Sequence, residues 1–223
     1  LNKISETDEI LVPIRLDIDI DSIKLRDRFL WNMNEQYLTP ERFGEMLCED
    51  LELPPYKFVQ PIADLIRAQV LDFESVSTIQ LPSTHTRVLI KLDLQIGKVN
   101  YRDQFEWELQ NDNTNAPEVF SKQLAAELGL GGEYVGIISH AVRDQLFRHK
   151  KQYAEELMME SEIRSKLDTV YRPMEETKHW EPQLEDLTND ELEKLLIAQE
   201  RNIRRMRRET RFKRSTRRIS NYQ

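Results

Sequence analysis

Apolar and polar residues alternate with a period of two through Val12, Ile14, Leu16, Ile18 and Ile20, a pattern that buries one face of a β-strand. Asp21-Ser22 has turn chemistry, and a second strand through Ile23, Leu25, Phe29 and Trp31 completes a hairpin. The period then changes. Thr39 before Pro40 is a helix start with proline at the first helical position, and Phe43, Met46, Leu47 and Leu51 follow at helical spacing. Pro54-Pro55 breaks that helix, and a second one carries Phe58, Ile62, Leu65, Ile66, Val70 and Phe73. The order predicted for residues 11–74 is β-β-α-α. A lone hairpin is marginal in water, so the two helices are expected to cover one sheet face. The other face and the outer helix surface are left for partners.

The same pattern comes round again. LVPIRLDI at 11–18 reads like RVLIKLDL at 87–94, and LRDRFLW at 25–31 matches YRDQFEW at 101–107, both at an offset of 76. PERF at 40–43 matches PEVF at 117–120 with one inserted residue. Ile62, Ile66, Arg67 and Gln69 then realign with Ile138, Val142, Arg143 and Gln145. Internal similarity of this kind predicts duplicated structure. The fold class is α+β: a tandem repeat of two small β-β-α-α units followed by a long C-terminal Arg-rich helix. The expected divisions are an N-terminal extension (1–10), unit one (11–74), a linker (75–86), unit two (87–152), a helix and extended connector (153–186), and the arginine-rich helix with its basic tail (187–223). Trp31 and Trp107 read as core. Arg26-Asp27 and Arg102-Asp103 read as structural ion pairs or a shared bend, with partner contact as the alternative.

Charge adds a second theme. Hydrophobic residues make up 39% and charged residues 32%, a balance that suits small units with much solvated helix surface rather than one large core. The net charge of −8 conceals polarity along the chain. From Arg201 onward there are ten basic residues against a single acid, Glu209, while the preceding 200 residues are strongly acidic. Such an asymmetry points to partners. No segment reads as a membrane span, the start does not read as a secretory signal, and the single cysteine, Cys48, fits a reducing compartment.

Leu187-Thr-Asn-Asp-Glu-Leu192 is a strong helix start: Thr188 and Glu191 have the spacing of a capping box, and Leu187 and Leu192 that of a hydrophobic staple. Leu192, Leu195, Leu196 and Ile203 form a narrow apolar stripe. Beyond it Arg201, Arg204, Arg205, Arg208 and then Arg211 share a face, and Arg207 lies within the same run. Arg211, Lys213, Arg214, Arg217 and Arg218 continue the basic run. Like charges at this spacing repel on a helix, so a partner is expected to supply the counter-charge. Arginine, rather than lysine, favours bidentate bonding to carboxylates or phosphates. Nuclear import, DNA or RNA phosphate, and an acidic protein surface all fit such a run.

Catalytic chemistry finds little footing. His85, His140, His149 and His179 are scattered, and with one cysteine no metal-ligand spacing emerges. GLGGEYVG at 129–136 has the glycines of a phosphate loop, but it follows a helix and lacks the Lys-Ser/Thr ending, so it reads as a helix-to-helix turn.

The paired β-β-α-α units, the Tyr171-Arg172-Pro173 connector, and LTNDEL at 187–192 leading into RNIRRMRR at 201–208 together resemble the SNF-five (SMARCB-type) family, core subunits of the SWI/SNF and RSC chromatin remodelling complexes, and within it the shorter RSC-type homologue. The resemblance covers about residues 9 to 210. It implies a nuclear, non-catalytic protein without cofactor or small-molecule substrate. Its repeats would dock on SWIRM-domain scaffold subunits, with the ATPase motor a separate subunit. Arg201, Arg204, Arg205, Arg207 and Arg208 would engage the acidic patch of the histone octamer. The stretch Arg211–Arg218 extends beyond the family's usual motif and implies further contact with histone or DNA.

Overall fold

The computed structural model describes residues 9–79, 86–110, 116–158 and 174–220, without the side chains of residues 158, 178, 179, 203 and 206–220. Among the described residues the fold is α+β with two small antiparallel sheets and five α-helices. Strands β1 (Leu11–Ile20) and β2 (Ile23–Asn32) are followed by α1 (Pro40–Asp50) and α2 (Pro55–Ser77). Then come β3 (Arg87–Ile96), β4 (Val99–Glu108), α3 (Ala116–Glu127) and α4 (Gly132–Met158). A 3-10 helix (Met174–Trp180), β5 (Gln183–Asp186) and α5 (Asn189–Ser220) complete the order. One compact unit comprises Leu1–Leu92 with Asp103–Glu181, and a second comprises Asp93–Arg102 with Pro182–Gln223.

In the first unit, β1 and β2 pair from Leu11↔Asn32 to Ile20↔Ile23. The two-residue connection holds Asp21 and Ser22 at φ +48° and +70°, the left-handed pair that a type I′ hairpin turn demands. The alternating residues Val12, Ile14, Leu16 and Ile18 are buried against Phe58, Ile62 and Ile66 of α2. Thr39 caps α1, its Oγ1 accepting from Arg42 N at 3.2 Å. Gly44 lies where α1 meets α2: a Cβ there would sit 3.2 Å from the Val59 carbonyl oxygen. Trp31 is buried, edge-on to Phe43 with centroids 5.6 Å apart, whereas Trp107, edge-on to Phe120 at 5.4 Å, is only half-buried.

Many contacts occur in pairs 76 or 77 residues apart. The Gln69 side-chain amide bonds both N–H and C=O of Arg15 (2.9 and 3.1 Å), and that of Gln145 does the same for Lys91 (2.9 and 2.7 Å). Arg67 pairs with Glu41, and Arg143 forms a two-pronged pair with Glu118 (2.5 and 2.6 Å). Met33 N donates to Ile10 O, as Leu109 N does to Thr86 O. Arg26 and Arg102 do not pair with the adjacent aspartate. Each reaches across its hairpin, to Asp17 (3.3 Å) and Asp93 (3.6 Å), because consecutive strand residues point to opposite faces.

Both first helices of these pairs end in the same way. Leu130 N donates to Ala125 O and Gly129 N to Ala126 O, with Gly129 at φ +66°, the arrangement of a Schellman cap. The glycine-rich stretch is thus a helix terminator. Leu53 N→Cys48 O and Glu52 N→Glu49 O repeat those bonds with Glu52 at φ +52°, a conformation that glycine adopts without the strain a Cβ brings.

Several boundaries differ from the sequence expectation. Helix α2 runs to Ser77, into the stretch read as a linker, because Val76 is a buried anchor of its last turn. Helix α4 continues to Met158, and Tyr153 and Ala154 are buried near its end. The connector read as extended contains the 3-10 helix and β5; its Tyr171-Arg172-Pro173 start lies outside the described residues.

His140 of α4 is 4% exposed and donates from Nε2 to Ile14 O at 2.9 Å, so a helix of the second half is bonded to the first strand. A carbonyl can only accept, so Nε2 carries the proton. Burial pushes the imidazole below its ordinary pKa, with Arg28 and Arg15 acting the same way and the Ile14 bond and Asp144 opposing. The unfolded chain therefore takes up this proton first as pH falls. Stability is expected to be complete above about pH 6.5, the ordinary imidazole value, and to decline below it. Urea midpoints between pH 7.5 and 5.5 should fall for the wild type and flatten for His140→Gln; equal slopes would rule the buried imidazole out as the cause.

Candidate functional site: the arginine helix and its mount

The second unit is built around the tip of a hairpin. Tyr101 is fully buried there, and Asn100 nearly so. Strand β5 adds antiparallel to β4 over four residues, from Val99↔Asp186 to Arg102↔Gln183. Leu187 N then donates to Lys98 O at 2.7 Å, fixing the chain two residues before the helix begins. The helix start closes on itself. Thr188 N and Oγ1 donate to Glu191 Oε2 (2.9 and 2.7 Å), while Thr188 Oγ1 accepts from Glu191 N at 3.4 Å. The Thr188 hydroxyl, then its backbone N–H, hold the Glu191 carboxyl below the usual range, so it stays ionised at the positive end of the helix dipole.

Along α5, Leu192 and Leu195 are half-buried, whereas Leu196 and Ile197 are exposed. Gln199 Nε2 donates to Gln95 Oε1 at 3.0 Å, a second tie between helix and hairpin tip. Arg201, Arg204 and Arg205 are exposed, and Arg204 Nη2 meets Glu200 Oε1 one turn earlier at 3.0 Å. Arg207, Arg208, Arg211, Lys213, Arg214, Arg217 and Arg218 belong to the helix by backbone, and their side chains lie outside the described residues. The tie that sequence reasoning missed is β5: Gln-Leu-Glu-Asp has neither the apolar content nor the length that marks a strand.

Among the described residues no group of His, Cys, Asp or Glu is placed to hold a metal ion, and no helix is long and apolar enough to cross a membrane. His140 and His149 are engaged with backbone carbonyls, Ile14 O and Leu89 O. Arginine on a capped helix can offer planar, two-pronged donors to carboxylate or phosphate.

Two hairpins, each followed by a helix pair, together with an exposed arginine-bearing helix, make up an α+β fold. The chain belongs to the SNF5 / SMARCB1 / INI1 family, whose pattern it matches over residues 4–204. It is 31% identical over 207 residues to the chromatin structure-remodeling complex subunit SFH1 of Saccharomyces cerevisiae, covering 90% of this chain and 48% of that protein. To SFH1 of Eremothecium gossypii it is 33% identical over 219 residues (92% and 55%). To the SWI/SNF chromatin-remodeling complex subunit SNF5 of S. cerevisiae it is 34% identical over 233 residues (94% and 26%). The chain thus spans about half the length of the SFH1 relatives and about a quarter of SNF5.

Proposed function

We propose that this protein is a non-catalytic core subunit of an ATP-dependent chromatin remodelling complex in the nucleus. In this reading residues 11–74 and 87–152 are two copies of one unit, and they dock on SWIRM-domain scaffold subunits. The C-terminal helix lays Arg201, Arg204, Arg205, Arg207 and Arg208 on the acidic patch of the histone octamer. A separate subunit supplies the ATPase motor. No cofactor or small-molecule substrate is involved.

The observation that carries the histone reading is the capped helix start followed, within the family match, by exposed Arg201 and Arg204. A helix ordered at its start presents guanidinium groups at fixed spacing, which suits clustered carboxylates better than a mobile basic tail would. The duplication draws support from the contacts that recur 76 or 77 residues apart, the glutamine bonds to Arg15 and Lys91 above all.

A second reading makes the basic run mainly a binder of DNA phosphate or a nuclear import signal. It rests on Arg211, Lys213, Arg214, Arg217 and Arg218, all beyond residue 204 where the family match ends. Titrating the full chain against nucleosomes with native octamers, and with octamers whose acidic patch is neutralised, separates the two. The histone reading expects a loss of about tenfold or more, roughly the 1.4 kcal/mol of one good charged contact. Equal affinity would sink it. Affinity for naked DNA that matches nucleosomes and falls steeply with salt would favour phosphate.

A further inference from the structure

In the first half, Met33, Arg67, Val70, Leu71 and Glu74 line a groove of about 470 Å³. Adding 76 to each number gives Leu109, Arg143, Leu146, Phe147 and Lys150, and those five line a cavity of about 150 Å³ in the second half. The remaining wall of that cavity, Leu11, Phe73, Val76 and Ser77, comes from the first half, so the second-half groove already has an occupant. The occupant is the last turn of α2. Phe73 packs on Phe147 with centroids 5.4 Å apart, and Val76 is buried. Lys150 Nζ donates to the Ser77 carbonyl at 3.2 Å, and Lys151 pairs with Asp72 at 2.6 Å. Such a groove takes an amphipathic helix through an aromatic and a β-branched residue at i and i+3, with lysine satisfying the carbonyl end.

We infer that the first-half groove is a docking site for an amphipathic helix of another protein, one bearing an apolar pair at i, i+3 and a lysine or arginine beside it. The inference rests on the duplication and docking reading above. Charge selects the occupant. Glu74 stands where the second half has Lys150, and Glu35 lines the same groove. Glu35 accepts from the N–H groups of Tyr37 and Leu38 (2.8 and 3.1 Å), which hold it ionised. Two carboxylates repel the carbonyl end of a helix and attract a cation. Leu71, the counterpart of Phe147, is 67% exposed on the groove wall. The ends of the two long helices beside the grooves, α2 and α4, do not fit. The end of α2 is already engaged, and α4 has His149 and Gln152 at the positions of Phe73 and Val76.

The probe is a labelled peptide of the α2 end, residues 66–79, with Ser77→Lys, which sets a cation at the place that Lys150 meets and Glu74 replaces, titrated by fluorescence anisotropy against the full chain alongside the unmodified peptide. The lysine peptide should bind about fivefold tighter, the size of one exposed charge pair. Leu71→Glu should weaken it about tenfold or more by placing a carboxylate against the apolar pair. Glu74→Lys should reverse the preference between the peptides. Both substituted residues are exposed, so folding is not at stake. Equal binding of the two peptides, or indifference to Leu71→Glu, overturns the inference. Nucleosome affinity of the same variants should equal wild type. Loss of the peptide effects with nucleosome binding intact removes the groove alone, whereas acid-independent nucleosome binding removes the proposed function and leaves the groove.

Discussion

Replacing Arg204 and Arg208 together by alanine is expected to weaken nucleosome binding roughly 30- to 150-fold, corresponding to about 2–3 kcal/mol for two charge-assisted contacts desolvated at an interface. The two lie one turn apart on one helix face, a spacing at which a single acidic surface can reach both. Arg204 gives up little in exchange, since its pair with Glu200 is exposed and i,i+4 pairs of that kind contribute about 0.3–0.5 kcal/mol. Lysine at both positions should restore only part of the affinity, because an ammonium keeps the charge and loses the planar fork. The measurement is a nucleosome titration at fixed salt with far-ultraviolet dichroism to confirm that α5 is retained. Full restoration by lysine would mean that the surface reads charge alone, and an unchanged affinity for the alanine pair would remove these residues from the interface.

The largest loss of stability is expected at Phe58. It is fully buried in the first turn of α2 and belongs to the cluster that joins β1 and β2 to the helix pair. Phe58→Ala removes that packing and leaves a cavity that the surrounding strands can only partly close, at a cost of about 3–5 kcal/mol. Against a typical domain stability of about 5–15 kcal/mol, this is enough to leave the chain marginal. Urea unfolding followed by tryptophan fluorescence should show the midpoint falling sharply, with Phe58→Leu retaining much of the stability. A loss under about 1 kcal/mol for the alanine variant would be at odds with a rigid core at this point.

The parts of this fold that could be read in advance are those whose signal is local. Alternation from Val12 to Ile20 gave the strand, Asp21-Ser22 the turn, Thr39-Pro40 a helix start whose cap is formed, and Thr188 with Glu191 a reciprocal capping box. What escaped depends on distant chain. Strand β5 exists because β4 offers an edge, not because Gln183–Asp186 favours a strand. Trp107 read as core yet is half-buried, since burial depends on what the rest of the chain lays over an element. His140 looked like one of four scattered histidines. Its bond to Ile14 depends on how α4 packs against β1, which no spacing within α4 encodes. The start of α5 was legible through its cap; the bond that ties it to Gln95 was not.

The glutamine bonds to Arg15 and Lys91 have a bearing on how the chain is made. A carboxamide that both accepts from and donates to one residue's backbone acts as a one-residue surrogate for a neighbouring strand. It occupies hydrogen-bonding positions through which β1 or β3 could otherwise recruit a strand from another molecule. Each surrogate arrives from a helix 54 positions later in sequence. During synthesis each hairpin therefore leaves these edge groups unguarded until its second helix has emerged and docked, and a ribosome paused in that interval would expose a chain prone to sticking to its neighbours.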